Sequence, residues 1–446
     1  MIKLKLNKNI SSFIRRKVKL LIILTVFLAF NLPVLAENSQ LQGQIENAKK
    51  INLQSLIDEA LKINPEIQAA QAKLYAAEYK IPQAKALPDP QVSFGYQNNS
   101  FGKFDLGEAE LAWFQVTASQ TFPFYGKRDL RAHIASHETI ILRAELNKTE
   151  LKTVSRVKEL YYDLFLAYKS LDILDDRIDL FSKAENAAIS RYSTGIGQQQ
   201  DILLAQTEKY NILVQQEQLK QKIQSLESEL NALRGRDANC PVGIPNEPIK
   251  TAFPFTFEQL KQLAYKNSPE LMAKEQTITQ QDMRIKLAKK EFYPDFTLNG
   301  TVFPRGGSFP TMWAVWGNIN VPVAQLKAKQ SAVSEAEAST KESLHTMESS
   351  RLEVLSGLRD NYSVITSSDR LMRIYKGGLI SRSTQDFEAA LTGYVTGKND
   401  ALTAITTLKN LIDYETSYWE QFVAREKAIA KIEAIAGVTI LPTGVN

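Results

Sequence analysis

From about Tyr125 to Tyr192 the chain contains no proline, and its one glycine, Gly126, lies at the start. Few folds accommodate such a run. As a single helix it would reach on the order of 100 Å, far beyond the usual length of a globular helix. Leu151, Val154, Leu160, Leu164, Leu171, Leu174, Ile178 and Phe181 recur along it mostly at threes, fours and sevens, as coiled-coil packing requires. The run ends in Tyr192-Ser-Thr-Gly195-Ile196-Gly197, and a second helical pattern returns to Leu233. The phrase Tyr394-Val-Thr-Gly397 follows another long run, from about Gln325, interrupted by Gly357 and Gly377-Gly378. Glycine takes positive φ without steric cost, so each phrase reads as the tip of a long antiparallel helical hairpin.

The duplication extends beyond the tips. Leu53, Leu56, Ile57, Ala60 and Leu61 form a short helical pattern that breaks at Asn64-Pro65-Glu66; Phe257, Leu260, Leu263 and Ala264 precede Ser268-Pro269-Glu270 in the same way. In both places a capping residue stands before a proline suited to the first helical position. Pro88-Asp89 matches Pro294-Asp295. The boundaries are a first repeat over 51–235, a linker rich in proline over 236–254, a second repeat over 255–437 and a tail over 438–446. Repetition overrides the two or three ordinary domains that length alone suggests.

Residues 1–36 read as a secretory signal: seven lysines and arginines without an acid, an apolar run from Leu20 to Phe30, then Val34-Leu35-Ala36. An uncleaved anchor is the other reading, although the run is shorter than the roughly 20 residues a spanning helix needs. Residues 37–50 form a polar lead-in. Removing the seven basic residues takes the formal charge from +5 to about −2, so the basic pI is no argument for nucleic acid. Cys240 is the only cysteine, which excludes an internal disulfide framework.

Each repeat also holds two strand patterns. Val92, Phe94 and Tyr96 alternate with polar residues, as do Phe114, Val116, Ala118 and Phe122. Phe296, Leu298, Gly300 and Val302 follow in the second repeat, then Trp313, Val315, Ile319 and Val321. One such pair suits a half-buried strand in a soluble sheet. Four in an exported, otherwise helical chain suit tilted membrane strands. Four strands cannot close a barrel, and open edges are not tolerated in lipid, so several chains must contribute to one barrel.

These features together resemble the outer-membrane efflux protein family, the TolC-like channel-tunnels, over about residues 51–437. Ala86-Leu-Pro-Asp-Pro90 and Gln120-Thr-Phe-Pro-Phe-Tyr-Gly-Lys-Arg128 are similar to its heavy-metal (cation) branch. The resemblance implies a mainly α fold with a small β part. Two tandem repeats of long antiparallel hairpins would each add a two-stranded β-hairpin to a trimeric, twelve-stranded outer-membrane barrel above a periplasmic α-barrel. It implies a homotrimer set in outer-membrane lipid, whose tips meet a periplasmic adaptor (membrane fusion) protein and an inner-membrane pump of the resistance-nodulation-division type. Some relatives in the metal branch carry a lipidated cysteine, which this chain lacks.

Asp400 and Asp201 begin the return helices, where an acid complements the helix dipole. The resemblance instead places an acidic ring at the constricted end of the tunnel. Asp400 fits its outer acid, and a second acid three residues on would fall on Thr403. Gly195, Ile196, Gly197 and Gly397 are turn residues, and the resemblance makes them adaptor-docking tips. Arg191 and Tyr394 are candidates for bracing the gate across helices. His133 and His137 share a helical face beside Glu138, but two histidines are too few for a closed metal site, and a solvated face accounts for them. Trp113, Trp313 and Trp316 read as interface aromatics.

No catalytic constellation, phosphate loop or cofactor motif is present in the sequence, which argues against an enzyme. The leading expectation is the exit duct of a tripartite efflux system for metal cations or small toxic compounds. Alternatives are the outer-membrane component of type I protein secretion, and a secreted, non-conducting coiled-coil protein.

Overall fold

A computed structural model describes residues 50–98, 109–322 and 325–440. The expected signal segment, nearly all of the lead-in, most of the loop after the first strand and the end of the tail lie outside these residues.

In the first repeat, helices α1 (Leu53–Ile63) and α2 (Pro65–Lys85) lead to strands β1 (Gln91–Gln97) and β2 (Trp113–Phe122). The long helix α3 (Lys127–Ser193) descends to the first tip and α4 (Gln199–Leu233) returns. The second repeat runs α5 (Phe257–Asn267), α6 (Pro269–Lys290), β3 (Asp295–Phe303) and β4 (Met312–Asn320). Helix α7 (Leu326–Ile374) then passes through a π-helical turn (Tyr375–Leu379) into α8 (Ile380–Val395), and α9 (Ala401–Ala436) returns. The expected interruption at Gly357 is absent: this glycine stays inside α7, where a Cβ would lie 3.2 Å from the Ile435 side chain. Its small size admits α9 rather than breaking α7. At Gly377-Gly378 the helix widens to a π turn and continues.

The helix α3, 67 residues long, ties two layers together. Its first part packs on α2 and α6, with Arg143 on Glu78, Lys148 on Glu270 and Gln280 donating to Glu138. Its later part packs on α4 and α9, with Arg156 on Glu229 and Arg177 on Glu415. Here Phe181, Ile212, Phe387, Leu408 and Ile412 share one buried cluster. The Asn-Pro-Glu junction explains itself in this frame. Asn64 Oδ1 accepts the N–H groups of Glu66 and Ile67, while its Nδ2 donates to the Leu233 carbonyl at 2.9 Å. One side chain thus caps the start of α2 and meets the end of α4.

The four strands form one antiparallel sheet in the order β1-β2-β3-β4. The two repeats meet along β2–β3, where Val116 lies opposite Val302 and Phe122 opposite Phe296. Because side chains alternate, the register aligns one apolar face across all strands: Val92 faces Ala118, Ala118 faces Gly300 and Gly300 faces Val315. That face is open, with Phe94 81% and Val315 62% exposed. The opposite face is polar; the Thr117 and Thr301 hydroxyls lie 2.8 Å apart and are buried. Among the described residues, β1 and β4 are paired on one side only. At the foot of the sheet the buried Lys127 donates to Asp295 at 2.8 Å, and Asp295 accepts the Phe124 N–H. The second metal-branch phrase and the Pro-Asp phrase therefore meet at the junction of sheet and helices.

Candidate functional site

The two tips are built alike. In the first, Gly195 takes φ 71°, and the N–H groups of Ile196 and Gly197 both donate to the Arg191 carbonyl, at 3.0 and 2.9 Å. In the second, Gly397 takes φ 79°, and the N–H groups of Lys398 and Asn399 both donate to the Gly393 carbonyl, at 2.8 and 3.1 Å. Each turn satisfies the orphan carbonyls of a helix end. Ile196 stands 72% exposed at the first tip.

This geometry corrects the parallel drawn between the two acids. Tyr192 corresponds to Tyr394, so Arg191 corresponds to Gly393 and Gly197 to Asn399. Asp400 is the N-cap of α9, and its Oδ1 accepts the Thr403 N–H at 2.9 Å. Its counterpart at the first tip is Gln198, which caps α4 without a side-chain bond. Asp201 is the third residue of α4, the position that Thr403 occupies in α9. The two turns are equally long, each helix restarting four residues after its glycine, but Asp201 lies six residues after Gly195 and Asp400 only three after Gly397, so the two acids are not equivalent. Hydrogen bonds from the Thr403 hydroxyl and backbone N–H hold the exposed Asp400 carboxyl below its ordinary range.

Across the tips the structure brings together Arg191, Tyr394 and Asp201. The Arg191 guanidinium lies over the Tyr394 ring, 4.7 Å from its centroid, and Nη1 donates to the Tyr394 carbonyl. The Tyr394 hydroxyl donates to Asp201 Oδ2 at 3.2 Å. Tyr394 is 1% exposed, packed with Ala188, Ala390, Ala401 and Ala404. Burial first, and then the Asp201 carboxylate, push its hydroxyl up to about 12, so it remains a donor at neutral pH. The contact runs one way: Tyr192 is half exposed, and Gly393 has no side chain to mirror Arg191. Sequence reading missed Gly393 and Asn399. Aligning Tyr192 on Tyr394 would have found them, because it sets the two turns in register.

The histidines do not converge on a metal. His137 Nδ1 lies 3.1 Å from Gln276 Oε1, Glu138 accepts from Gln280, and the described residues contain no cluster of three or more His, Cys, Asp or Glu suited to an ion. Trp113 packs edge-on against Phe303, with Arg305 near its ring, at the end of the sheet remote from the tips. Trp313 is 76% and Trp316 37% exposed. No described helix is long and apolar enough to cross a membrane.

Two further polar clusters went unread in the sequence. Glu59 accepts from Arg234 and Arg236 where α4 ends. Arg425, buried in α9, pairs with Glu426 and Asp369 and donates to the Thr251 carbonyl of the linker. The one available signal was an Arg-Glu pair inside an apolar helical seam.

Comparison with known proteins joins this geometry to a family. The sequence profile described as "Outer membrane efflux protein" matches residues 56–236 and 260–418, one stretch in each repeat. The cobalt-zinc-cadmium resistance protein CzcC of Cupriavidus metallidurans is 20% identical over 400 residues, covering 88% of this chain and 91% of its own. The outer membrane protein VceC of Vibrio cholerae has a similar fold, with a TM-score of 0.75 at 16% identity over 87% of this chain and 97% of its own. CusC, whose crystal structures concern folding and transmembrane channel formation, gives a TM-score of 0.72 at 16% identity, covering 88% and 93%. The profile spans most of the chain and both repeats, and the chain therefore belongs to the outer membrane efflux protein family, with the fold seen in VceC and CusC.

Proposed function

We propose that the chain is the outer-membrane exit duct of a tripartite efflux system and that its cargo is metal cations. The observation that carries the duct is the sheet. Its apolar face is open and continuous over four strands, while its polar face is lined by Thr117, Thr301, Thr121 and Thr297. Such a sheet suits lipid outside and water within. Three copies would supply twelve strands and bring six hairpin tips to one mouth. The similarity to a protein named for cobalt, zinc and cadmium resistance supports the cargo.

On this reading Gly195, Ile196, Gly197 and Gly397 present the surface that a periplasmic adaptor grips, beneath which an inner-membrane pump of the resistance-nodulation-division type supplies the energy. Asp400 stands exposed beside the mouth, and a ring of such carboxylates would favour cations. Thr403 leaves that ring without a second acid. Arg191, Tyr394 and Asp201 would hold the two hairpins of one chain together and so keep the mouth narrow.

The test is transport. A strain lacking this chain, but retaining its adaptor and pump, should lose tolerance to cobalt, zinc or cadmium and regain it on complementation. Purified protein should form cation-preferring pores in planar bilayers. Pores with unchanged metal tolerance would overturn the cargo; absence of pores would overturn the duct.

A further inference from the structure

The sheet contains its own template for how copies join. The two β-hairpins are repeats, with β1 corresponding to β3 through Pro88-Asp89 and Pro294-Asp295, and β2 to β4 through Pro123 and Pro322. The correspondence can be checked inside the chain. It carries the observed pair Gln91–Ser119 onto Thr297–Asn318, and that pair is observed. It likewise carries Gly95–Gln115 onto Thr301–Ala314, also observed.

One seam has no counterpart within the chain. β2 pairs with β3 across the boundary between repeats, whereas among the described residues no strand lies beside the equivalent edges, of β4 and β1. We propose that β4 pairs antiparallel with β1 of a second copy of this chain, in the register that sets Asn318 opposite Ser93 of the partner subunit. This rests on the reading that copies of the chain close one barrel, and adds the residues that meet.

The side chains at the two edges fit that register. Ser119 faces Asn299 in the internal seam, and the transferred pair, Asn318 with the partner's Ser93, has the same two residue types exchanged between strands. The internal pair Thr121–Thr297, whose hydroxyls lie 3.0 Å apart, becomes Asn320 with the partner's Gln91, two amides able to bond in the same place. The buried pair Thr117–Thr301 becomes Trp316 with the partner's Gly95, a large side chain against none. On the apolar face Gly317 meets the partner's Phe94, which is 81% exposed in the single chain, and Ile319 meets the partner's Val92. A slip of two residues would keep the faces but set Trp316 against the partner's Gln97 or Ser93 and forfeit its match to a glycine.

Cysteine cross-linking tests the register. In a Cys240→Ser background, Asn318→Cys is combined in turn with Gln91→Cys, Ser93→Cys, Gly95→Cys and Gln97→Cys. Membranes are treated with a short thiol-reactive crosslinker and resolved under denaturing conditions. The internal pair Ser119→Cys with Asn299→Cys serves as the positive control for reach. The expected result is a ladder of linked copies that is several-fold stronger for Ser93→Cys than for its neighbours. A maximum at another position overturns the register. Native mass spectrometry of the same samples separates the other failures: an oligomer without any cross-link overturns pairing of these edges, and a monomer overturns the underlying reading of a shared barrel.

Discussion

Arg191 and Tyr394 lie in different repeats, yet the guanidinium of one stacks on the ring of the other and donates to its carbonyl. The Tyr394 hydroxyl passes the connection on to Asp201, so the end of α3, the end of α8 and the start of α4 are held at one point. A hydrogen bond to a charged group contributes about 1.5–3 kcal/mol when shielded. Tyr394→Phe deletes the bond to Asp201 and leaves the packed ring in place. If the cluster keeps the mouth narrow, a loss of about 1.4 kcal/mol shifts the open-to-closed ratio roughly tenfold. Single-channel recording of Tyr394→Phe and Arg191→Ala should show more open time than wild type; identical gating in both would remove the bracing role.

Asp400 accepts the capping bond from the Thr403 N–H and remains exposed. Asp400→Asn keeps a side-chain acceptor for the cap and removes the charge. It should fold as wild type, by circular dichroism and melting temperature, while losing cation preference in planar bilayers. Unchanged reversal potentials in a salt gradient would show that the carboxylate does not line the path.

The tip glycine Gly195 and the helix-end glycine Gly437 differ in a way that melting curves can read. Both have positive φ, but a Cβ on Gly195 meets nothing within 4 Å, whereas one on Gly437 runs into the backbone carbonyl of Asn267. Gly195→Ala should cost about 1–2 kcal/mol, the penalty of the left-handed conformation alone. Gly437→Ala should cost clearly more, because backbone and not a flexible side chain must move. Equal losses would mean that α9 does not end against α5 as described.

Glu59 gives a pH dependence with a definite sign. Burial opposes its charge, but hydrogen bonds from Arg234 and Arg236 prevail and lower its pKa from the ordinary 4.5. A depressed carboxyl contributes stability above its unfolded value and loses it as pH falls through the folded value. Glu59→Gln should therefore be less stable than wild type at pH 7, by about 1 kcal/mol after solvent screening. The two melting temperatures should converge in acid below the lowered, folded value. A gap that persists there would assign the loss to packing.

Much of this arrangement was legible in the residues. The absence of proline and the apolar recurrence along α3, the duplicated Pro-Glu starts and the alternation in four short stretches gave the elements and their repetition. Each is a local property, set by backbone sterics and by the periods of helix and strand. Gly357 was misread for the same reason. A glycine weakens a helix locally, and only the approach of Ile435 shows why one is needed there.

The rest depended on what lies beside what. Sequence order placed Asp201 and Asp400 alike at the starts of return helices; the folded turns separate them into a third-position residue and an N-cap. The junction of β2 with β3 joins strands that are separated in sequence by the whole of α3 to α6. Arg191, Tyr394 and Asp201 converge because two hairpins pack side by side, and a contact across about two hundred residues leaves no periodic trace in either segment. The sequence by itself determined the repeated hairpins, their tips and the two faces of each strand, because those follow from local backbone preferences. Tertiary structure alone decided which tip residues touch and which sheet edges stay open, because long-range packing makes those choices.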